Sequence, residues 1–317
     1  DIRHLGEEHL RTKLLEVWDI CRDFVGRNPA EELIPVRPTQ HYSMGGIRVN
    51  KDGQAYGLGG LFAVGEAACW DMHGFNRLGG NSLAETLVSG RIVGCRVAEY
   101  ASGSELRADT GIALDALKAA EQRAAAWLAR SGNGPSVYEI RDAMGETMMH
   151  KVGIFRTGDE LTEAVAELGQ LLDDCDNAVL RSKDPGLNPE LAFALRLRGM
   201  LRLAMTVAKG ALARTESRGA HFRSDYPVRN DRDWLNRTLV RWGMDESAPT
   251  FSYESTGLID LPPGHRGYGS DERIEMTTTL DEYNQNVLAD QIRHGRLDSD
   301  EEMGSRLRRG AWKTATG

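Results

Sequence analysis

The sequence predicts an α/β segment, then an α-helical bundle domain and a small irregular C-terminal region. Three observations predict this order. Glycine, 35 of 317 residues, is dense between positions 41 and 105, where short strand-like runs alternate with loops. Apolar residues recur at helical spacing between positions 109 and 214, and the rest of the chain is polar and less periodic. The length corresponds to about two domains.

The composition argues against several classes of protein. The net charge is −8, from 39 basic and 47 acidic residues, which disfavours binding to nucleic acid or to an anionic membrane surface. No apolar run reaches the length of about 18 residues that a membrane span requires. The cysteines lack CxxC spacing and the histidines lack HExxH spacing, so we expect free thiols and no protein-ligated metal site. The cysteines are Cys21, Cys69, Cys95 and Cys175.

The first 40 residues are predicted to be a helix and an extended segment. Apolar residues recur at spacings of three and four through residues 6–26, which predicts one amphipathic helix, and Gly26 supplies a left-handed end. Two prolines punctuate residues 33–38, and proline disfavours helix both at itself and at the preceding residue.

The glycine-rich block 41–105 carries the features of a ligand site. Strands are predicted at 47–49 and 61–64, the second ending in Gly65 and Glu66, and a loop at 74–80 leads into a helix. Ser82 and Glu85 have capping-box spacing at the start of that helix. Ligands of α/β folds gather at strand ends, and helix N-termini attract anionic groups. No GxGxxG follows a strand, so the pattern predicts part of a cofactor site, with a tight structural loop as the alternative.

Two side chains in this block are candidates for binding an anionic substrate. Arg77 lies in the glycine-rich loop, and arginine is the best side chain for gripping a carboxylate with two hydrogen bonds. His41 lies just before a glycine pair. On spacing alone, a surface ion pair for the arginine and a satisfied structural donor for the histidine remain open.

Four helices are predicted between residues 109 and 215, at 110–130, 136–151, 157–175 and 189–214. Capping-box spacing occurs at Ser136 with Glu139 and at Thr157 with Glu160. Asn188 precedes a proline at the first helical position. Short connections between such helices favour an antiparallel bundle.

The last hundred residues offer one notable cluster, in which arginines alternate with aromatic side chains. An interface with a partner is the favoured interpretation, because arginine and aromatic residues are enriched at interfaces. A locally ion-paired loop, with Asp225, Asp231 and Asp233, is the alternative. A strand at 258–261, a turn at 262–269 and a solvated basic end at 306–309 are also predicted. The cluster comprises Arg218, Phe222, Arg223, Tyr226, Arg229, Arg232 and Trp234.

Three segments in fixed order carry a resemblance to a known family. HYSMGG at 41–46, GLFAVGE at 60–66 and HGFNRLGGNSLAE at 73–85 resemble the flavoprotein subunit of succinate dehydrogenase and fumarate reductase. The likeness continues through 138–144, 153–157 and 216–227 and covers roughly residues 1–240. It implies that the α/β segment is the remnant of an FAD-binding, Rossmann-like domain.

The resemblance also assigns domains and site residues. It implies the end of a capping domain at 1–40, the C-terminal part of the FAD-binding domain at 41–105, a helical bundle at 106–215 and a partner-facing region at 216–317. The family's proton-donating arginine and ADP-binding motif are expected upstream of position 1, so no catalytic residue is expected within this chain. The implied substrate-binding residues are His41 and Arg77, and the implied cofactor-binding residues are Glu66, Ser82 and Leu83.

The implied activity is hydride transfer between FAD and a dicarboxylate, interconverting succinate and fumarate. Electrons would pass to an iron–sulfur subunit and to quinone in a membrane anchor, with the chain peripheral on the cytoplasmic face of the inner or plasma membrane. An L-aspartate oxidase-like enzyme is one alternative, although that pattern usually has Met-Ala-Ser where this chain has Leu78, Gly79 and Gly80. A non-catalytic fragment that completes an assembly is the other.

Overall fold

A computed structural model describes residues 1–37, 40–105, 109–243 and 247–256. The chain divides into two compact units, Asp1–Ser43 and Met44–Gly317. The strand predicted at 258–261, the turn at 262–269 and the basic end at 306–309 lie outside the described residues.

The first unit contains two short helices where the sequence predicts one long helix. Helix α1 spans Glu7–Lys13 and α2 spans Leu15–Ile20, and a π-helical turn follows at Cys21–Val25. The single long helix is therefore wrong, because the backbone of Leu14 (φ −130°, ψ 38°) leaves the helical region. Gly26 ends the turn with a left-handed φ of 68°, as predicted.

The second unit begins with a small β arrangement. Strand β1 (Ile47–Arg48) pairs in parallel with β2 (Ala68–Cys69). The strand predicted at 61–64 is wrong, since that segment makes only an isolated bridge, Gln54 with Phe62. Gly65, at a φ of 66°, turns the chain into a 3-10 helix, so the residues beyond the turn make the pairing. The core here is small, formed by Val49, Ala55, Ala63 and Ala68.

Helix α3 spans Asn81–Gly103 and begins differently from the prediction. Gly80 occupies the N-cap position with a φ of 79°, and no side chain caps the helix. The predicted capping box of Ser82 and Glu85 is therefore wrong. The left-handed glycine starts the helix one residue before Ser82, which places Ser82 inside the first turn. Glu85 is buried and accepts a hydrogen bond from Ser89 Oγ instead (3.1 Å).

The four helices α4 to α7 agree with the prediction within about two residues. They share one core that includes Leu161, Leu168, Leu197 and Leu201, all fully buried. Burial of each such side chain contributes about 1.5–3 kcal/mol. The helices are α4 (Thr110–Ala129), α5 (Val137–Lys151), α6 (Gly158–Asn177) and α7 (Pro189–Ala213).

The predicted caps of these helices are largely confirmed. Ser136 and Glu139 form both bonds of a capping box. Asn188 Oδ1 accepts from Leu191 N (3.0 Å) and proline takes the first helical position. Thr157 Oγ1 accepts from Glu160 N (3.3 Å), but the Glu160 side chain accepts from the threonine hydroxyl instead of completing the box.

The C-terminal region, expected to be irregular, contains regular structure. After a short helix α8 (Asp231–Trp234), β3 (Asn236–Arg241) pairs antiparallel with β4 (Thr250–Ser255). Both strands contain β-branched and aromatic residues, which favour strand. They lack a clear alternation of apolar and polar residues, so the sequence pattern did not predict them. No helix within the described ranges is long and apolar enough to cross a membrane.

Candidate functional site

The candidate cofactor residues lie on two neighbouring elements of the second unit. Glu66 is exposed in the 3-10 turn Gly65–Ala67, directly before β2. The turn packs on the start of α3, where a Cβ on Gly65 would come within 3.0 Å of Thr86 Cγ2. Glycine at this position therefore lets the turn approach the helix that carries Ser82 and Leu83.

The first turn of α3 offers polar groups without protein partners. The hydroxyl of Ser82 and Oε2 of Glu85 are buried and make no hydrogen bond within the described part of the chain. Leu83 is 76% exposed although it opens the apolar face of a 23-residue helix. An uncapped helix end attracts partial negative charge. A ligand at this position could exchange hydrogen bonds with these oxygens and pack apolar surface against Leu83.

Arg77 lies in the loop between β2 and α3. Its side chain is half-buried, and the loop closes with a hydrogen bond from Asn81 N to Leu78 O (3.1 Å). The loop therefore places the guanidinium group of Arg77 four residues before Asn81, where the helix that carries Ser82 begins.

His41 belongs to the first unit, in an irregular and exposed stretch just before the unit ends at Ser43. Its role in binding a substrate carboxylate stays a prediction.

An ion-pair network that the sequence did not reveal anchors the start of the Arg77 loop. Asp71 has a left-handed φ of 71° and pairs with Arg237 and with Arg48 (3.3 Å). Both arginines also bind Glu254 of β4, at 2.8 Å and 3.1 Å, and Glu254 is buried. A left-handed backbone is unfavourable for a residue other than glycine, so the ion pairs of Asp71 must stabilise this conformation. The network ties β1 and the loop to the β3–β4 hairpin.

The arginine and aromatic cluster of the C-terminal region is paired largely within the chain. Arg218 binds Glu216 (2.8 Å) and Asp231 (2.6 Å), and Arg229 also binds Asp231 (2.8 Å). Arg223 is buried and forms two hydrogen bonds to Asp225, at 2.8 Å and 2.7 Å. The locally ion-paired alternative thus describes these three arginines, and contact of this region with another subunit stays a prediction.

Arg223 also completes the end of helix α7. Its Nη1 donates to the carbonyls of Ala211 and Leu212, both at 3.0 Å, which the helix itself leaves without donors. The Arg223 hydrogen bonds lower the pKa of Asp225 to about 2, so this pair stays ionised at neutral pH.

His221 is the buried histidine of this region, and it lies among arginines. Nη1 of Arg156 is 2.9 Å from Nδ1, and because arginine only donates, Nδ1 accepts. Nε2 must then carry the proton and donate to Arg214 O (3.3 Å). Burial, followed by the charges of Arg156, Arg214 and Arg223, lowers the pKa of His221 to about 4.

This lowered pKa predicts acid sensitivity. The folded state holds His221 neutral between about pH 4 and pH 6.5, whereas the unfolded chain binds a proton there. Stability should therefore be complete above pH 6.5 and fall as the pH drops towards 4. We expect His221→Gln to flatten this part of the stability profile, measured by urea unfolding at a series of pH values. The exposed His150→Gln is the control, and an equal slope in both variants would contradict the assignment.

The chain resembles known proteins along most of its length. Residues 1–83 match the family model described as FAD binding domain, and residues 141–268 match the one described as fumarate reductase flavoprotein C-term. The fumarate reductase flavoprotein subunit of Helicobacter pylori is 41% identical over 299 residues, covering 85% of this chain and 42% of the relative. That of Escherichia coli K12 is 35% identical, covering 86% of this chain and 45% of the relative.

Solved structures give the same result. The FrdA flavoprotein of Escherichia coli quinol fumarate reductase aligns with a TM-score of 0.78 at 35% identity, over 86% of this chain and 46% of that one. A Mycobacterium smegmatis Sdh1 complex with UQ1 aligns with a TM-score of 0.69 at 32% identity, over 80% and 42%. The chain spans less than half the length of these relatives. It carries part of an FAD-binding domain followed by a helical domain, and it belongs to the fumarate reductase and succinate dehydrogenase flavoprotein family.

Proposed function

We propose that this chain is part of a flavoprotein subunit that interconverts succinate and fumarate. The observation that carries the proposal is the Arg77 loop, which delivers a half-buried guanidinium group beside the uncapped start of α3. The family membership of the chain supports the same activity.

FAD, when bound, would accept the hydride, and residues of this chain would hold it. Ser82 Oγ, buried and without a protein partner, fits as a donor to the cofactor, and the exposed Leu83 fits against its planar ring. Glu66, exposed on the adjoining turn, fits the ribityl or ribose hydroxyls, since a carboxylate accepts hydrogen bonds.

The substrate is held by charge and by hydrogen bonds. Arg77 grips one carboxylate of the dicarboxylate through its planar fork, and His41 donates to the other. A carboxylate gripped in this way orients the dicarboxylate, which would lower the entropic barrier to hydride transfer. The proton is moved by an arginine that we place outside this chain.

The assembly and location are also part of the proposal. We place residues 1–40 in a capping domain, 41–105 in the FAD-binding domain, 106–215 in the helical domain and 216–317 towards a partner. The partners are an iron–sulfur subunit and, through it, a membrane anchor that exchanges electrons with quinone. The subunit would be peripheral, on the cytoplasmic face of the inner or plasma membrane. A related solved structure, a quinol-fumarate reductase with menaquinol molecules, is consistent with this arrangement.

The test uses the native flavoprotein with its cofactor and partner subunits. We expect anaerobic addition of succinate to bleach the oxidised flavin absorbance, and L-aspartate to leave it unchanged. Bleaching by L-aspartate alone would support the oxidase alternative. A protein that neither substrate reduces, although dithionite reduces its flavin, would contradict the proposed activity.

A further inference from the structure

The loop that carries Arg77 is held from the side by a turn of the C-terminal region. The backbone N–H of Ala220 donates to the carbonyl of Phe75, at 3.2 Å. The preceding Gly219 has a left-handed φ of 59°, and the turn closes with paired backbone bonds between Arg218 and His221, at 2.8 Å and 3.0 Å. Phe75 is two residues before Arg77, so this contact fixes the loop next to the substrate-binding arginine.

The turn and the loop touch so closely that only glycine fits at position 219. A Cβ there would lie 2.6 Å from Phe75 Cβ and 3.1 Å from Phe75 C. Ordinary contact begins at about 3.4 Å, so any side chain would push Phe75 by roughly 0.8 Å. The backbone carbon is among the clashing atoms, so the displacement must reach the main chain of the loop.

A buried arginine also contacts Phe75. The guanidinium carbon of Arg214 lies over two rings, 4.7 Å from the centroid of Phe75 and 4.8 Å from that of Trp234. Such cation–π contacts contribute about 2 kcal/mol when desolvated. Arg214 is 2% exposed and donates to Glu216 Oε1 (2.7 Å), Trp234 O (2.8 Å) and Asn236 O (2.7 Å). Arg214 is therefore a fixed support rather than a mobile surface side chain.

We propose that Gly219 and Arg214 are positioning residues for the substrate site, which hold Phe75 so that Arg77 meets the dicarboxylate in a fixed orientation. This inference rests on the proposed function, because it assigns Arg77 to substrate. The C-terminal region thereby tunes substrate affinity, although neither of the two positioning residues needs to touch substrate.

The experiment compares Gly219→Ala with Gly26→Ala in the native holoenzyme, using malonate as the probe. Gly26 has a similar left-handed φ of 68°, but a Cβ there meets nothing within 4 Å, so the control imposes the backbone strain without the push on Phe75. A misplacement of about 1 Å can cost about 100-fold in rate. We expect Gly219→Ala to keep its FAD, to weaken malonate binding at least about tenfold and to raise the KM for succinate more than it lowers kcat. Gly26→Ala should stay within about twofold.

A second measurement separates positioning from general damage. In an Arg77→Lys background the bidentate fork is already lost, so adding Gly219→Ala should weaken malonate binding by less than it does in the native background. Equal, additive losses would overturn the proposal. If Gly219→Ala fails to fold or loses FAD, Phe75→Leu, which removes the ring beside Arg214, should still weaken malonate binding about threefold or more.

The outcomes distinguish this inference from the proposed function. If the native holoenzyme binds malonate and Gly219→Ala binds it with the same affinity, the positioning role is overturned and the proposed function stands. Where Gly219→Ala does not fold, unchanged malonate affinity in Phe75→Leu has the same meaning. No malonate binding by the native holoenzyme overturns the dicarboxylate assignment, and the positioning role with it.

Discussion

Replacing Arg77 by alanine is expected to reduce kcat/KM for succinate by about 1,000-fold while FAD stays bound. Truncating one partner of a buried, hydrogen-bonded charge pair costs roughly 2–5 kcal/mol, and each 1.36 kcal/mol corresponds to about tenfold in rate. The cofactor should be unaffected, since the groups that fit it lie on α3 and on the turn at Glu66. Steady-state kinetics and the flavin absorbance of the purified holoenzyme give the two readouts.

The control for this prediction is Arg123→Ala, which removes an exposed arginine from helix α4. It should leave both kcat/KM and the flavin content unchanged, because surface substitutions of this kind usually cost less than about 0.5 kcal/mol. Retained succinate turnover in Arg77→Ala would remove Arg77 from the substrate site. Loss of flavin in Arg77→Ala would instead assign the arginine to the cofactor.

Local signals in the sequence predicted the helical domain well. The caps at Ser136 and Asn188 are properties of four or five consecutive residues, and the helices begin where these residues predict. The same reasoning was wrong at Ser82, where a left-handed glycine at the N-cap starts the helix two residues early. It was also wrong at 61–64, since strand pairing is decided by the partner available and not by apolar character alone.

The support of the site could not be predicted from spacing. The bond between Ala220 N and Phe75 O joins residues that are 145 positions apart in the sequence. Likewise, Asp71 pairs with Arg237, which lies 166 positions away. Sequence periodicity carries no information about such pairs, although a glycine such as Gly219 can supply the left-handed φ of a tight turn. The sequence analysis favoured an interface for the arginines of the C-terminal region, because their alternation with aromatic residues does not show that Glu216, Asp225 and Asp231 pair with them locally.

Glu216 is the centre of the buried charge network beneath this support. It is fully buried and accepts hydrogen bonds from Arg214 (2.7 Å), from Arg218 (2.8 Å and 3.0 Å) and from Asn230 N (2.8 Å). Glu216 thus compensates the charge of both arginines. Arg218 also binds a second carboxylate, Asp231. A buried ion pair need not stabilise a fold more than apolar residues would, but removing one partner leaves the other uncompensated.

We therefore expect Glu216→Ala to lower the free energy of unfolding by about 3–5 kcal/mol. Urea unfolding followed by circular dichroism measures the change. The matched control is Glu163→Ala, which breaks a surface pair with Lys151 in which the Glu163 side chain is 64% exposed, so the free energy of unfolding should stay close to that of the native protein. Equal losses in the two variants would contradict the central role of Glu216.

The same substitution should also act on the substrate site. Without Glu216, Arg214 loses its only carboxylate among the described contacts, and its stacking on Phe75 loosens. Malonate affinity should then fall in Glu216→Ala at temperatures where the protein is still folded, and Glu163→Ala should bind malonate as the native holoenzyme does. Stability and substrate binding would thus be coupled through the buried carboxylate of Glu216, because Glu216 compensates the charge of Arg214 and Arg214 stacks on Phe75 in the Arg77 loop.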